Sequence, residues 1–283
     1  MMDHQKEPKM TPLSRRSFLA TSALAVSGAL LGAANAEVSG DAYGGLRMGM
    51  ASYSLRNYSL EEAIAHTADL GLHWIELFGG HQGVTADDEA ITGLLTTLED
   101  HGVELYAYWA GDFQEDEEQN RALFEFARRC GVSLLTGHPL PESLPMLEAF
   151  VTGYDIKVGV HNHGPDHLYD TVDDMLEAAE PWDERIGFCL DIGHCMRSGE
   201  DPVKAVSRLG DRLYGIHLKD HEHIGRDDPP QTILGEGALD LPGLCEALRA
   251  INYDAPIMVE YDKEVTLEEI RQGLANVAEA ATE

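Results

Sequence analysis

From Leu46 onward the chain alternates a short apolar run with a longer amphipathic one, and it does so eight times. The apolar runs cover residues 46–52 ("LRMGMAS"), 73–78 ("HWIELF"), 103–109 ("VELYAYW"), 132–138 ("VSLLTGH"), 156–163 ("IKVGVHNH"), 186–194 ("IGFCLDIGH"), 213–220 ("LYGIHLKD") and 255–262 ("APIMVEYD"). Between them the pattern is helical. In "SLEEAIAHTADLG" Ser59 stands where a helix cap belongs, Glu62 three residues later completes a capping box, and Gly71 supplies the stop. Strand and helix in strict alternation require a parallel sheet, because parallel neighbours can be joined only by long crossovers. Eight such units close into a (β/α)8 TIM barrel, and residues 37–283 match the roughly 250 residues that one barrel needs.

The two ends of these runs differ in character. Their starts are apolar, whereas their C-terminal ends carry Glu76, Trp109, His138, His161, His163, Asp191, His194, His217, Lys219 and Glu260. A TIM barrel builds its active site on the C-terminal face, so these groups, scattered in sequence, are expected to converge in space. Strand alternation puts Cys189 with Asp191, Gly215 with His217 and Lys219, and Met258 with Glu260. If that face is the interior, Asp191, His217 and Glu260 meet near the axis. Imidazole and carboxylate together suit a divalent ion of the manganese, cobalt, iron or zinc type rather than magnesium or calcium. A buried Asp or His at a strand end also serves as a plain hydrogen-bonding group, and it is the combination on successive strands that favours a metal. His161 and His163, two apart, leave their strand on one side, as a metal site or as a polar rim.

"CLDIGHC", "GIHLKD", "IMVEYD" and the "LGEGALDLPGL" ahead of the last strand resemble the sugar isomerase/epimerase group of the xylose isomerase-like TIM barrels, from Leu46 to the final helix. The resemblance implies a metal held at the ends of the fifth to eighth strands, with Asp191, His217 and Glu260 at the matching positions and His194 beside the substrate. The chain departs from that pattern in one respect: His161 stands where the fifth strand of the epimerases carries a Glu. One histidine of the pair therefore replaces a ligand, with His161 favoured and His163 placed against substrate or behind the ligands. The expected cofactor is one divalent ion, manganese first, with zinc, cobalt or iron as alternatives.

The remaining candidates each carry a structural alternative. The candidate base is Glu260 or Glu76; Glu76, between Trp74 and Phe78 on one strand face, has as its structural alternative an ion pair with Lys219. Lys219 steadies an oxyanion or merely pairs with an acid. Trp109 and Phe78 form a wall for a sugar or simply pack, and His138 follows the same logic. The polar segment from His221 to Gly237, broken by two prolines, is a lid that brings Arg226 or His223 to the substrate, or a passive loop. Cys189 and Cys195 are read as small core residues, having no cationic neighbour in sequence to activate them.

The N-terminal segment stands apart from this pattern. Arg15-Arg16 precede the uncharged run Thr21 to Ala34, and Ala34-Asn35-Ala36 has the form of a cleavage site. Residues 1–36 are thus expected to be a twin-arginine signal, with the mature chain exported to the periplasm or beyond. The run is shorter than the roughly 20 residues of a spanning helix, so no stable membrane insertion is expected once it is cleaved. Residues 37–283 hold 16 basic against 48 acidic residues, a formal charge of −32. Such a surface repels phosphate backbones, which argues against nucleic acid as a partner and against a related endonuclease chemistry. The four cysteines have no paired spacing. The expected activity is metal-dependent isomerisation or epimerisation of a small carbohydrate through an enediolate, with dehydration or β-elimination from the same enolate as the alternative. A sugar-binding barrel without catalysis is the non-enzymatic alternative, and oligomerisation is left open.

Overall fold

A computed structural model describes residues 42–282. The segment expected to be a twin-arginine signal, residues 1–36, lies outside these residues. Eight parallel strands close into one barrel in sequence order: β1 (Met48–Ala51), β2 (Trp74–Phe78), β3 (Glu104–Phe113), β4 (Leu134–Pro139), β5 (Lys157–His161), β6 (Ile186–Asp191), β7 (Leu213–Leu218) and β8 (Ile257–Val259). The helices α1 (Leu60–Asp69), α2 (Asp88–His101), α3 (Glu117–Cys130), α4 (Leu144–Tyr154), α5 (Val172–Ala179), α6 (Ile192–Arg197), α7 (Pro202–Leu209), α8 (Leu241–Ala250) and α9 (Leu267–Thr282) alternate with them. Among the described residues no helix is long and apolar enough to cross a membrane.

Local chemistry fixes the boundaries. Ser59 accepts from the backbone of Glu62 while Glu62 accepts from that of Ser59, and Thr171 and Asp174 repeat this box at α5. Gly102 and Gly131, at φ +66° and +73°, end α2 and α3 in the left-handed conformation that a side chain disfavours. β6 and β7 are buried along their whole length, on both faces, as a sheet covered by helices demands. Inside the barrel the space is filled: a Cβ on Gly215 would stand 2.9 Å from Leu134 Cδ2 and 3.0 Å from Cys189 Sγ.

Several expected boundaries shift at the C-terminal ends. β3 runs on to Phe113, β5 stops at His161, β6 at Asp191 and β8 at Val259. His163, His194 and Glu260 therefore sit just beyond strands, where the backbone is free to turn their side chains inward. The "HLKD" and "GEG" motifs meet here: Asp220 accepts hydrogen bonds from the backbone N–H of His221, Gly235, Gly237 and Leu239. One buried carboxylate thus pins both ends of the long β7–α8 segment, which is a tied loop rather than a free lid.

Candidate metal centre and active site

The register of the sheet sets the ligands opposite one another. Asp191 pairs with His217 across β6 and β7, and His161 pairs with Cys189 one step lower on the neighbouring strand pair. The middle residue of "HNH" locks this arrangement. The Asn162 side chain donates to the backbone carbonyl of Asp191 at 2.9 Å and accepts from its N–H at 2.8 Å. Asp191 in turn caps α6, its Oδ1 accepting from the N–H of His194 at 2.8 Å.

Its other oxygen, Oδ2, faces the barrel axis without a hydrogen bond. His161 Nε2 lies 3.5 Å from that atom, His217 Nδ1 lies 3.8 Å from it, and the two nitrogens are 3.1 Å apart. These three side chains form a group able to hold a metal ion. Atoms bound at about 2.0–2.2 Å to one ion lie about 3.0–3.6 Å from each other, so two of the three separations fit and the third, His217 to Asp191, is slightly longer. Glu260 joins at one edge: its Oε2 is 2.8 Å from His217 Nδ1, yet lacks the alignment of a hydrogen bond. The donor set, two imidazoles and carboxylate, is that of a first-row divalent ion.

The charges around the group are unequal. Lys219, buried, has Nζ 3.0 Å from Asp191 Oδ2, 3.4 Å from Glu260 Oε2 and 2.9 Å from Asp262 Oδ2. Burial opposes its charge, but Asp191, Glu260 and Asp262 overcome this and hold the ammonium's pKa above its ordinary value. For Asp191 and Glu260 burial again acts against ionisation, and the surrounding cations win, keeping both carboxyls well below the usual range. Three carboxylates thus surround one lysine, leaving acid in excess where a divalent cation would balance it.

Glu76 is not in the apolar setting its neighbours in sequence suggest, nor is it paired with Lys219. Its Oε2 is 2.5 Å from His217 Nε2, and its Oε1 accepts from the Thr136 hydroxyl. Trp74 lines an opening of about 1010 Å³ at the opposite, N-terminal mouth. That opening is the larger one, but the group of convergent ligating side chains lies at the other end of the barrel. The cavity over the ligands is about 260 Å³, lined by Ser52, Tyr53, Glu76, Phe78, Trp109, His161, His163, His194, Lys219, Glu260 and Asp262 among others. This is below the roughly 300–1,000 Å³ that accommodate drug-sized ligands.

Phe78 and Trp109 both face this cavity, and the Trp109 ring meets His161 at 4.8 Å between centroids. Burial drives the pKa of His161 down to about 3, of His163 to about 4 and of His194 to about 2, so each ring is neutral at pH 7. His138 is not on the wall but behind it, edge-on to Trp109 and hydrogen-bonded to Asp112 at 3.1 Å. Arg226 is not brought to the site, because Asp170 holds its guanidinium at 2.8 Å; His223 likewise pairs with Asp227 at 2.9 Å. Burial raises the thiol of Cys189 to about 11 and that of Cys195 well above the ordinary value, consistent with core packing. Sequence reasoning missed Ser52, Asn162 and Asp262. Only Asp262 carried a signal, ending the run "IMVEYD" at the catalytic face.

An inosose dehydratase of Lacticaseibacillus casei is 26% identical over 125 residues, which are 38% of this chain and 41% of that protein. The chain therefore spans about two-fifths of the length of the curated relatives it matches in this way. The probable 3-DHS dehydratase AsbF of Bacillus anthracis superposes with a TM-score of 0.68 at 17% identity, covering 81% of this chain and 97% of the other. A D-psicose 3-epimerase determined in the presence of D-fructose superposes with a TM-score of 0.61 at 14% identity, over 80% and 91%. At these identities the two structures speak to the fold alone. The model of the xylose isomerase-like TIM barrel family matches residues 64–280, and the chain belongs to that family.

Proposed function

We propose that the protein is a metal-dependent isomerase or epimerase of a small polyhydroxy ketone, working through an enediolate. The observation that carries this reading is the convergence of His161, Asp191 and His217, with Glu260 at their edge, on the floor of a cavity of about 260 Å³. A divalent ion bound by these residues, manganese in our assignment, supplies Lewis-acid polarisation of a carbonyl and its neighbouring hydroxyl. The protein does the rest. Glu260 turns an oxygen without a hydrogen bond into the cavity and is the group we assign to take the proton from the carbon between those oxygens. Lys219, fixed among three carboxylates, offers N–H bonds to the oxygen on which negative charge develops. Trp109 and Phe78 give the sugar an apolar face and shut out water.

Dehydration is the second reading, favoured by the match to inosose dehydratases and by His163 and His194, which stand together on one wall with ring centroids 4.5 Å apart. There the same proton removal is followed by loss of a β-hydroxyl as water, the proton taken by Glu260 being returned to the departing oxygen while a neutral wall imidazole donates a hydrogen bond to it. The test is incubation of the manganese-loaded protein with a panel of ketoses and inososes in D2O. Deuterium at carbon with conserved mass supports isomerisation, loss of water supports dehydration, and absence of exchange with every member overturns both. We further propose export by the twin-arginine route, on the strength of Arg15-Arg16 and the uncharged run that follows.

A further inference from the structure

His194 faces the cavity with Nε2, which lies 3.9 Å from Asp191 Oδ2. Its other nitrogen, Nδ1, is 2.9 Å from Nη1 of Arg197, one helical turn later in α6. A guanidinium carries only donors and keeps its proton, so Nδ1 must be the acceptor of this bond. The single N–H of the neutral ring then belongs to Nε2. Arg197 is itself held from outside, with Nε 2.8 Å from Oδ1 of Asp228 in the β7–α8 segment. Gly164, at φ +85°, covers the pair without a side chain: a Cβ there would stand 3.4 Å from His194 Nδ1 and 3.6 Å from Arg197 Nη1.

We propose that Arg197 is a positioning residue that locks His194 in the Nε2–H tautomer, which makes His194 an obligate hydrogen-bond donor to an oxygen of the substrate. Two histidines of one site are thereby given opposite tasks by the charge behind them. The Glu76 carboxylate accepts a hydrogen bond from Nε2–H of His217 and leaves Nδ1 to face the ligand group. The Arg197 guanidinium does the reverse to His194. A ring whose inner nitrogen bears hydrogen has no lone pair for a metal, so His194 stays out of the coordination group despite its closeness to Asp191. It selects instead for a carbonyl or hydroxyl oxygen and against an ammonium at that point of the ligand. The β7–α8 segment thus reaches the site through Asp228 and Arg197 rather than through Arg226 or His223. The nature of the acceptor oxygen rests on the proposed function; the tautomer does not.

The experiment is a long-range proton–nitrogen correlation spectrum of the metal-free protein labelled with 15N-histidine, with His194 identified by the signals missing from His194→Gln. The expected result is a protonated Nε2 and a bare Nδ1 in the wild type. Arg197→Met should move the proton to Nδ1 or give an average of both forms, and Arg197→Lys, which restores an obligate donor, should return it to Nε2. A proton on Nδ1 in the wild type overturns the proposal, and that reading needs no variant to fold. An unchanged Nε2–H spectrum in Arg197→Met overturns it as well. Turnover of the sugar panel, read on the same samples, separates failure of the proposed reaction from failure of the tautomer lock.

Discussion

Nε2 of His217 stands 2.5 Å from Oε2 of Glu76, and both side chains are buried. A carboxylate behind an imidazole fixes the tautomer and the ring plane of a ligand, and losing such a partner commonly costs metal affinity about 10–100-fold. One oxygen of Glu76 is engaged by His217 and the other by Thr136. Glu76→Leu is therefore expected to weaken Mn2+ binding by about that factor in a calorimetric titration. Wild-type affinity in this variant would overturn that supporting role.

Asp191 has two duties that one substitution separates. Its Oδ1 caps α6 and its Oδ2 faces the ligand group. Asp191→Asn keeps an acceptor for the cap and should abolish metal binding; it also removes one carboxylate from around Lys219, a cost it shares with Asp191→Ala. Asp191→Ala should lose both, at a further cost of about 1 kcal/mol for the cap. Elemental analysis and urea unfolding of the two variants, compared side by side, check the division.

Lys219→Met would strand Asp191 and Glu260 in the interior without their ammonium. Removing one member of a buried ion cluster typically costs about 3–5 kcal/mol. Added Mn2+ should recover part of that loss, because it binds the same two carboxylates. Urea unfolding with and without the ion measures both effects, and a variant as stable as the wild type in metal-free buffer would contradict the assignment.

Acid should destabilise the metal-free protein well above the carboxylate range. His161 and His194 titrate near 3 and 2 in the folded chain, against about 6.5 when unfolded. Both folded values are depressed, so their contribution is present above pH 6.5 and declines as the pH falls below it, where the unfolded chain takes up protons and the folded one does not. Two such groups give a slope of roughly 2–3 kcal/mol per pH unit near pH 5. The pKa of His217, raised well above its ordinary value, leaves that ring protonated in both states at pH 5 and adds no slope there. Equal urea midpoints at pH 7 and pH 5 would rule this out.

Arg15→Lys with Arg16→Lys should hold the full-length precursor inside the cell, because the paired arginines are what the export pathway reads. Fractionation followed by N-terminal sequencing checks this, with Glu37 as the expected first residue of the exported chain. Undiminished export of the double variant would remove the ground for the assignment.

The sequence alone determined the eight strands, their parallel order and the face on which polar groups collect. Those are local properties, written in apolar period, capping residues and the chemistry of strand ends, and Ser59 with Glu62 forms the box that their spacing announces. It also brought forward Asp191, His217 and His161, since each closes an apolar run with a side chain that has no reason to be there for packing. Partnership was another matter. Glu76 meets His217 across 141 positions, Asn162 clamps Asp191 across 29, and Asp228 holds Arg197 from a loop of another unit. No periodicity records such pairs, because a hydrogen bond or ion pair depends on a few tenths of an ångström and on how the strands and loops close. The same limit hid the fate of Arg226, whose nearest acid, Asp170, lies on a neighbouring loop. Barrel closure decided which charge stands behind each histidine, and with it which ring is left to bind and which to donate.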